Sequence, residues 1–568
     1  MTSRLSVNSA AYRLVDALVR RGVDTFFGIP GGPVCPIFEA IRLHPGAELV
    51  ESRHETHGAF AAALYYRMSR KVPALVVTAG PGATNVVTGV ASASLERIPM
   101  LVIAGDTDWA TGKVVAQDSG PHGIDLESIF ASITRHQGRS ASPRSVVAQA
   151  LTALQYATVP YNQGPSLFVV PLNHSMAECG PVEINEPVLS LPLGVPDCGT
   201  LQRIATLLTG AERPLIVLGT GCRGHEVSVL ALINSTNIPF VTTPGAKGVV
   251  SERHPHSLRN GGMAASLWAR KYTSEPVDVC LVLGSDLDDT SVGPTPYVGR
   301  GGQLFHVDVN SSVFGRNFPT ELGLVADLDA VARGLTQLGI RNEKAPTLLQ
   351  AAKSGSPWDE STPENDERTP ITPHRVLMDL QAALPGARFV TDIGEHMLFA
   401  LHYLTAEPKG FFIQLNLGSM GSGIGGAVGL ALADRTKPVV CVAGDGCAQM
   451  AGMEILVALK ERLPLLLVVI NDGRYNMVHH GMRQIFGEAE QYDMPPVNFA
   501  LWATALGIPS RIIQAPGEIT PGLVRELLRD GPAVLDARID ASVRIKGGGR
   551  VETLQQMSMA SRVEIPEL

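Results

Sequence analysis

The chain has 568 residues, 45% hydrophobic and 18% charged, with a formal net charge of −8, which is too long for one core and predicts about three domains at roughly 150 to 200 residues each. The small negative charge and the lack of any dense Lys/Arg run exclude a nucleic-acid backbone as partner, and no stretch of roughly 18 apolar residues is available to span a membrane. Cys35, Cys179, Cys198, Cys222, Cys280, Cys441 and Cys447 are odd in number and hold no CxxC pair, so reduced thiols in a cytoplasmic protein are expected rather than a disulfide framework or a zinc site.

In chain order, nearly continuous apolar runs end in small or polar residues: PALVVTAG (73–80), PMLVIAG (99–105), SLFVVPL (166–172), PLIVLG (214–219), VCLVLG (279–284), RFVTDIG (388–394), PVVCVAGDG (438–446) and PLLLVVIND (464–472). Such runs read as parallel strands covered on both faces. Amphipathic stretches such as SVVAQALTALQYA (145–157) and GMEILVALKER (452–462) lie between them, so strand and helix alternate. The fold class is α/β, with three doubly wound parallel-sheet domains. Proline-rich EINEPVLSLPLGVPDCG (183–199) and polar EKAPTLLQAAKSGSPWDESTPENDERTPITP (343–373) mark the boundaries. The first domain is placed at 1–183, the central one at 195–343, an exposed linker at 344–371, the third domain at 372–545 and a tail or lid at 546–568. The first and third domains are candidates for a shared topology.

The strongest local signal is Gly444-Asp445-Gly446 at the end of one strand, followed by a helix and a strand closing in Asn471-Asp472-Gly473. Glycines at a strand-to-helix turn let a phosphate approach the backbone. Mg²⁺ takes six oxygens, commonly one or two carboxylates completed by ligand phosphates and water; Asp445, the side-chain oxygen of Asn471 and the carbonyl of Gly473 would supply three. Alone, each tripeptide is an ordinary turn. A second candidate is Glu55, at the start of the helical ETHGAFAAALYYRMSR. A glutamate there is commonly a solvated first-turn residue, but the apolar run behind it predicts burial, and a buried carboxyl can hold and release a proton.

GDG, an intervening helix and then NDG resemble the signature of thiamine-diphosphate enzymes. Arg53-His54-Glu55, FFGIPGGPVCPIFEAI (26–41), TAGPGATNVVTGVASASLERIPMLVIAG (78–105), DIGEHM (392–397) and LGSMGSGIGGAVGLALA (417–433) resemble the large subunit of acetolactate synthase. The resemblance implies thiamine diphosphate and Mg²⁺ as cofactors, Glu55 as the catalytic partner of the aminopyrimidine N1′ atom, and Met420 as the apolar wedge that bends the cofactor. It implies Gly31, Gly80, Gly82, Gly394, His396, Ser419, Gly444, Gly446 and Cys447 as cofactor-binding positions. It also implies a homo-oligomer, dimer or tetramer, with Glu55 and Asp445 of one site on different chains. In the central domain LGSDLDDTSVG (283–293) and FHVDVN (305–310) are similar to segments bordering FAD, whereas NGGMAASLWARK (260–271) departs from the pattern; FAD and a purely structural Rossmann-like unit both stay open.

The departures gather on the acceptor side. Where the family has Phe-Gln the chain has Ala116 and Gln117, of which Gln117 is carried as catalytic. The family's Met-Val-x-Gln-Trp becomes Met477-Val478-His479-His480-Gly481, and a lysine after Val-Pro becomes Leu172. Adjacent helix residues diverge by about 100°, so at most one of His479 and His480 is expected to point inward. The implied reaction is decarboxylation of a 2-oxo acid, with pyruvate the expected donor, followed by ligation to a second carbonyl compound in an altered acceptor pocket. The alternative is a decarboxylase that releases an aldehyde; the paired histidines of pyruvate decarboxylase are not found in the first domain, which offers only PHG (121–123).

Overall fold

The computed structural model describes residues 5–107, 116–117, 123–180, 194, 196–293 and 297–546. The tail from residue 547, the first boundary near 183, residue 195 and Pro121-His122 lie outside the described residues.

Three six-stranded sheets form, and among the described residues their strands pair in parallel throughout. The first holds β1 (Thr25–Gly28), β2 (Glu48–Glu51), β3 (Ala74–Val77), β4 (Met100–Asp106), β5 (Gln137–Arg139) and β6 (Pro165–Pro171), in the order β2-β1-β3-β4-β6-β5. The central sheet holds β7 (Pro214–Leu218), β8 (Phe240–Thr242), β9 (Ser257–Asn260), β10 (Val277–Leu283), β11 (Val298–Asp308) and β12 (Leu322–Val325), in the order β12-β11-β10-β7-β8-β9. The third holds β13 (Arg388–Thr391), β14 (Phe411–Phe412), β15 (Val439–Gly444), β16 (Leu465–Asn471), β17 (Ser510–Ile513) and β18 (Ala533–Arg538), in the order β14-β13-β15-β16-β18-β17. Counted from the first strand of each domain, the first and third orders coincide, so the two do share a topology. The central order is the dinucleotide-type 3-2-1-4-5-6 read from the other edge. Each apolar run named from the sequence is a buried strand.

Among the helices that cover these sheets are α1 (Glu55–Ser69), α2 (Val146–Ala157), α3 (Ala345–Ala352), α4 (Glu395–Tyr403), α5 (Ser422–Ala433), α6 (Asp445–Ala451) and α7 (Asn476–Phe486). Helix α3 corrects the exposed-linker expectation. Its Ala345, Leu349 and Ala352 are buried, and Leu349 and Ala352 join the core that contains Tyr272 and Leu304. A short apolar spacing inside the polar stretch outweighs its composition.

The first and third domains meet through α1 and α5, whose residues share one hydrophobic core. Gly425 and Gly429 of α5 let the helices touch along their backbones. A Cβ on Gly425 would sit 2.9 Å from His57 O, and one on Gly429 would overlap Ala61 O.

Candidate active site

Strands β15 and β16 pair in register up to Gly444 opposite Ile470, so Asp445 and Asn471 leave neighbouring strands at one carboxyl edge, where open α/β sheets bind ligands. Asp445 is buried; its Oδ1 accepts from Gly446 N and its Oδ2 from Gly473 N, both at 2.7 Å. Burial pushes its pKa up to about 6. Burial, and then the charges of Asp445 and Glu395, push Asp472 up to about 8. A buried carboxyl beside a second one is a place where a bound cation would favour the charged forms. The Asn471 amide nitrogen donates to Val497 O at 3.0 Å and to Asp536 Oδ1 at 2.8 Å, which leaves its side-chain oxygen as the unengaged end. Gly473, at φ 71°, accepts at its carbonyl from Met494 N at 2.7 Å and keeps one lone pair.

Beside this loop His396 lies against two glycines. A Cβ on Gly394 would come within 2.7 Å of its Cε1, and one on Gly444 within 3.0 Å of its Nδ1. The ring is buried, desolvation drives its pKa down to about 4, and its Nε2 has no partner. Capping and surface roles for His396 are thereby excluded. An unpaired buried polar atom costs roughly 1–3 kcal/mol, which a ligand acceptor or donor would remove. Gly446 faces the Tyr475 ring and Met420, its Cβ position lying 2.7 Å from Tyr475 Cε1 and 3.1 Å from Met420 Cε. Ser419 and Met420 are half-buried. Cys447 is different: its buried Sγ donates to Ile393 O at 3.2 Å, and burial raises the thiol well above its usual range, so only its backbone is free to serve a ligand.

Asp392 escaped the sequence reading. Fully buried, it accepts from Ile393 N and Gly421 N at 2.8 Å and from Ile424 N at 3.0 Å, which anchors the Met420 loop to β13. A lone Asp at the end of an apolar strand in DIGEHM was the available signal.

In the first domain Glu55 opens α1 at 7% exposure, as its apolar follow-on predicted, and accepts from Asn85 Nδ2 at 3.1 Å. Gly82 leaves room for it: a Cβ there would lie 2.7 Å from Thr78 Cγ2 and 3.4 Å from Glu55 Oε1. Gly31 packs on the same threonine, its Cβ position 2.5 Å from Thr78 Cβ, and Thr78 Oγ1 is buried without a partner. Gly80, at φ 62°, abuts Gln117, whose Cα is 3.2 Å from its Cβ position. Gln117 and Ala116 are exposed. Glu55, Gly31, Gly80, Gly82 and Gln117 thus form one group, with Thr78 and Asn85 added. Glu454 of the third domain accepts from Arg53 N at 3.0 Å and His54 N at 3.1 Å, so it clamps the start of α1.

On α7 both His479 and His480 are buried, where only one was expected to point inward. The first turn of α7 is enclosed on two sides: His479 Nε2 meets Arg474 Nη1 at 3.1 Å and His480 Nδ1 meets Glu395 Oε1 at 2.8 Å. Gly481 is buried beside them and Leu172 is half-buried just past β6.

A cavity of about 470 Å³ opens at the carboxyl ends of β7, β10 and β11, lined by Gly221, Gly284, Asp286 and Asp308 among others. Arg97 of the first domain reaches Asp286 at 3.0 Å and Asp308 at 3.2 Å, so both of these acids are already paired.

This geometry agrees with comparison to known proteins. The thiamine pyrophosphate enzyme N-terminal TPP binding domain matches residues 8–125, the central domain residues 201–335 and the C-terminal TPP binding domain residues 392–537. The chain belongs to the thiamine pyrophosphate enzymes. It is 27% identical to the acetolactate synthase large subunit of Porphyra purpurea, over 94% of this chain and 92% of that one. It is 28% identical to the large subunit of Lactococcus lactis subsp. lactis, over 94% and 93%, and 27% identical to a probable large subunit of Methanococcus aeolicus, over 94% and 92%. It is a thiamine-diphosphate-dependent enzyme of the acetolactate synthase type. The unpartnered His396 Nε2 and the close glycines Gly394 and Gly444 fit such a cofactor.

Proposed function

We propose that the protein decarboxylates a 2-oxo acid, pyruvate as donor, and ligates the two-carbon unit to a second carbonyl compound, with an acceptor pocket unlike that of an acetolactate synthase. The observation that carries this reading is a contrast in the sequence: Glu55, Asp445 and Asn471 keep the family's cofactor pattern, while Gly481 and Ala116 stand where the family has aromatic rings. Aromatic side chains each bury roughly 150–250 Å², so their absence admits a larger acceptor, and Leu172 in place of a lysine favours a neutral one.

When bound, thiamine diphosphate supplies the carbanion and the electron sink. The chain's own residues do the rest. Glu55, held by Asn85, exchanges a proton with the aminopyrimidine N1′ atom. Met420, beside Gly446, would pack against the cofactor's rings, and the unpartnered His396 Nε2 would take a polar group of the cofactor as its partner. Asp445, the Asn471 side-chain oxygen and the Gly473 carbonyl would hold Mg²⁺, whose charge would offset that of the buried Asp445. Gln117, packed against Gly80, would face the substrate.

A two-fold oligomer is part of this proposal. Phe486 is 68% exposed and Met450 60%, and Met453, Tyr475, Val478 and Ile485 are also exposed on the single chain, an apolar surface on and around α6 and α7 that suits cover by a second copy. Sedimentation of an active monomer would refute it. In the central domain the Arg97 bridge favours the structural reading over FAD, so the purified protein is expected to show no flavin absorbance. The main reading is tested by incubating protein, thiamine diphosphate and Mg²⁺ with pyruvate and a panel of aldehydes and 2-oxo acids. A ligated product from a bulky neutral acceptor supports it; aldehyde release alone turns it into a decarboxylase.

A further inference from the structure

Helix α7 comes after the Asn471–Gly473 loop and carries His480 at 9% exposure. Its Nδ1 lies 2.8 Å from Glu395 Oε1. Glu395 stands between Gly394 and His396, at the first position of α4, and its second oxygen is buried with no partner. His480 Nε2 has no hydrogen bond to any described residue, in contrast to His479 Nε2, which faces Arg474. The family pattern has glutamine at this point of α7, so an imidazole here is a feature of this chain. We propose that Glu395 and His480 form an acid–base dyad serving the substrate carbonyl, with His480 as the catalytic residue and Glu395 as the residue that positions it.

This rests on the 2-oxo acid reading of the site. Glutamine can donate a hydrogen bond but cannot release a proton, whereas imidazole can do both near neutral pH. Glu395, accepting from Nδ1–H, fixes the ring orientation and leaves Nε2 as the working atom, the role a carboxylate plays behind a catalytic histidine. As the keto carbon of the substrate is attacked, the C–O π pair moves onto oxygen and His480 Nε2–H transfers its proton there, leaving a neutral imidazole. When the C–O double bond re-forms on product release, the proton returns to Nε2. Glu395 stays a carboxylate throughout.

The test uses His480→Gln, Glu395→Gln and Glu395→Asp in the full-length protein. In the cofactor-free wild type, a downfield proton resonance from Nδ1–H bonded to a carboxylate is expected, and it should vanish in His480→Gln. In the holoenzyme, calorimetric affinity for thiamine diphosphate and exchange of its C2 proton into D₂O should stay within about threefold, because both precede the carbonyl step. On the same scale kcat for the 2-oxo acid should fall by about 10² in His480→Gln, the low end of general acid–base effects. It should fall by about tenfold in Glu395→Gln and recover in part in Glu395→Asp, with KM within about threefold. Unchanged kcat, a loss confined to KM, no downfield resonance in the wild type, or cofactor affinity falling in step with kcat would each overturn the dyad. A wild type that binds no thiamine diphosphate or exchanges no C2 proton would overturn the parent reading and the dyad together.

Discussion

Glu454→Gln tests how far the third domain holds helix α1 of the first. The Glu454 carboxylate is 2% exposed and takes three contacts from two backbone N–H groups, Arg53 N at 3.0 Å to each oxygen and His54 N at 3.1 Å, with His57 Nδ1 at 3.6 Å. These groups sit at the start of α1, where a helix has no internal acceptors for its first donors. Glutamine keeps one oxygen and turns an NH₂ toward the remaining donor. Hydrogen bonds to a charged group are worth about 1.5–3 kcal/mol and an unpaired buried donor costs about 1–3 kcal/mol, so a net loss of about 2–4 kcal/mol is expected. At roughly 2–4 °C per kcal/mol for domains of this size, calorimetry should show a clear fall in Tm. Lys460→Gln is the control, because it breaks only the exposed neighbouring pair with Glu51, worth about 0–1 kcal/mol. With α1 released at its start, Glu55 is displaced as well and turnover should fall. A Glu454→Gln protein as stable and as active as Lys460→Gln would refute the clamp.

Glu55→Gln should preserve folding and cofactor affinity while lowering turnover by about 10² or more; normal turnover would remove Glu55 from the mechanism. Asp445→Ala should abolish Mg²⁺-dependent retention of thiamine diphosphate in a calorimetric titration, since it deletes the anionic ligand, and an unchanged affinity would contradict the metal assignment. Gly481→Trp should depress ligation to large acceptors and raise relative activity toward pyruvate, which product analysis by chromatography decides. Gly429→Ala should destabilise the chain by more than the usual 1–3 kcal/mol of overpacking, because its Cβ would strike the backbone at Ala61 O; an unshifted Tm would show that the α1–α5 crossing is loose.

Strands covered on both faces, such as β4, β6, β15 and β16, were legible because burial leaves an uninterrupted apolar run. Edge strands were not: β2, β12 and β17 are half-exposed, so their composition blends into the loops, and β14 is two residues long. Candidate site positions could be picked out where one short stretch holds both a turn and a polar side chain, as at Asp445, Asn471 and Glu55. Asp392 and Glu454 were not, because their partners are backbone N–H groups brought close only by the fold; Arg53 and Glu454 are about 400 residues apart. The burial of both histidines also depended on distant partners, Glu395 being 85 residues from His480.

The glycine-lined crossing of α1 and α5 also divides the chain by how freely it can change in descent. Where two backbones touch, any new side chain is rejected at once, so the frame that presents Glu55 and Met420 is closed to gradual change. Helix α7 takes no part in that crossing, so exchanges on its site-facing side at His480 and Gly481 leave the frame itself undisturbed. New substrate preferences in descendants of this sequence should therefore arise along α7, while the crossing is inherited unaltered.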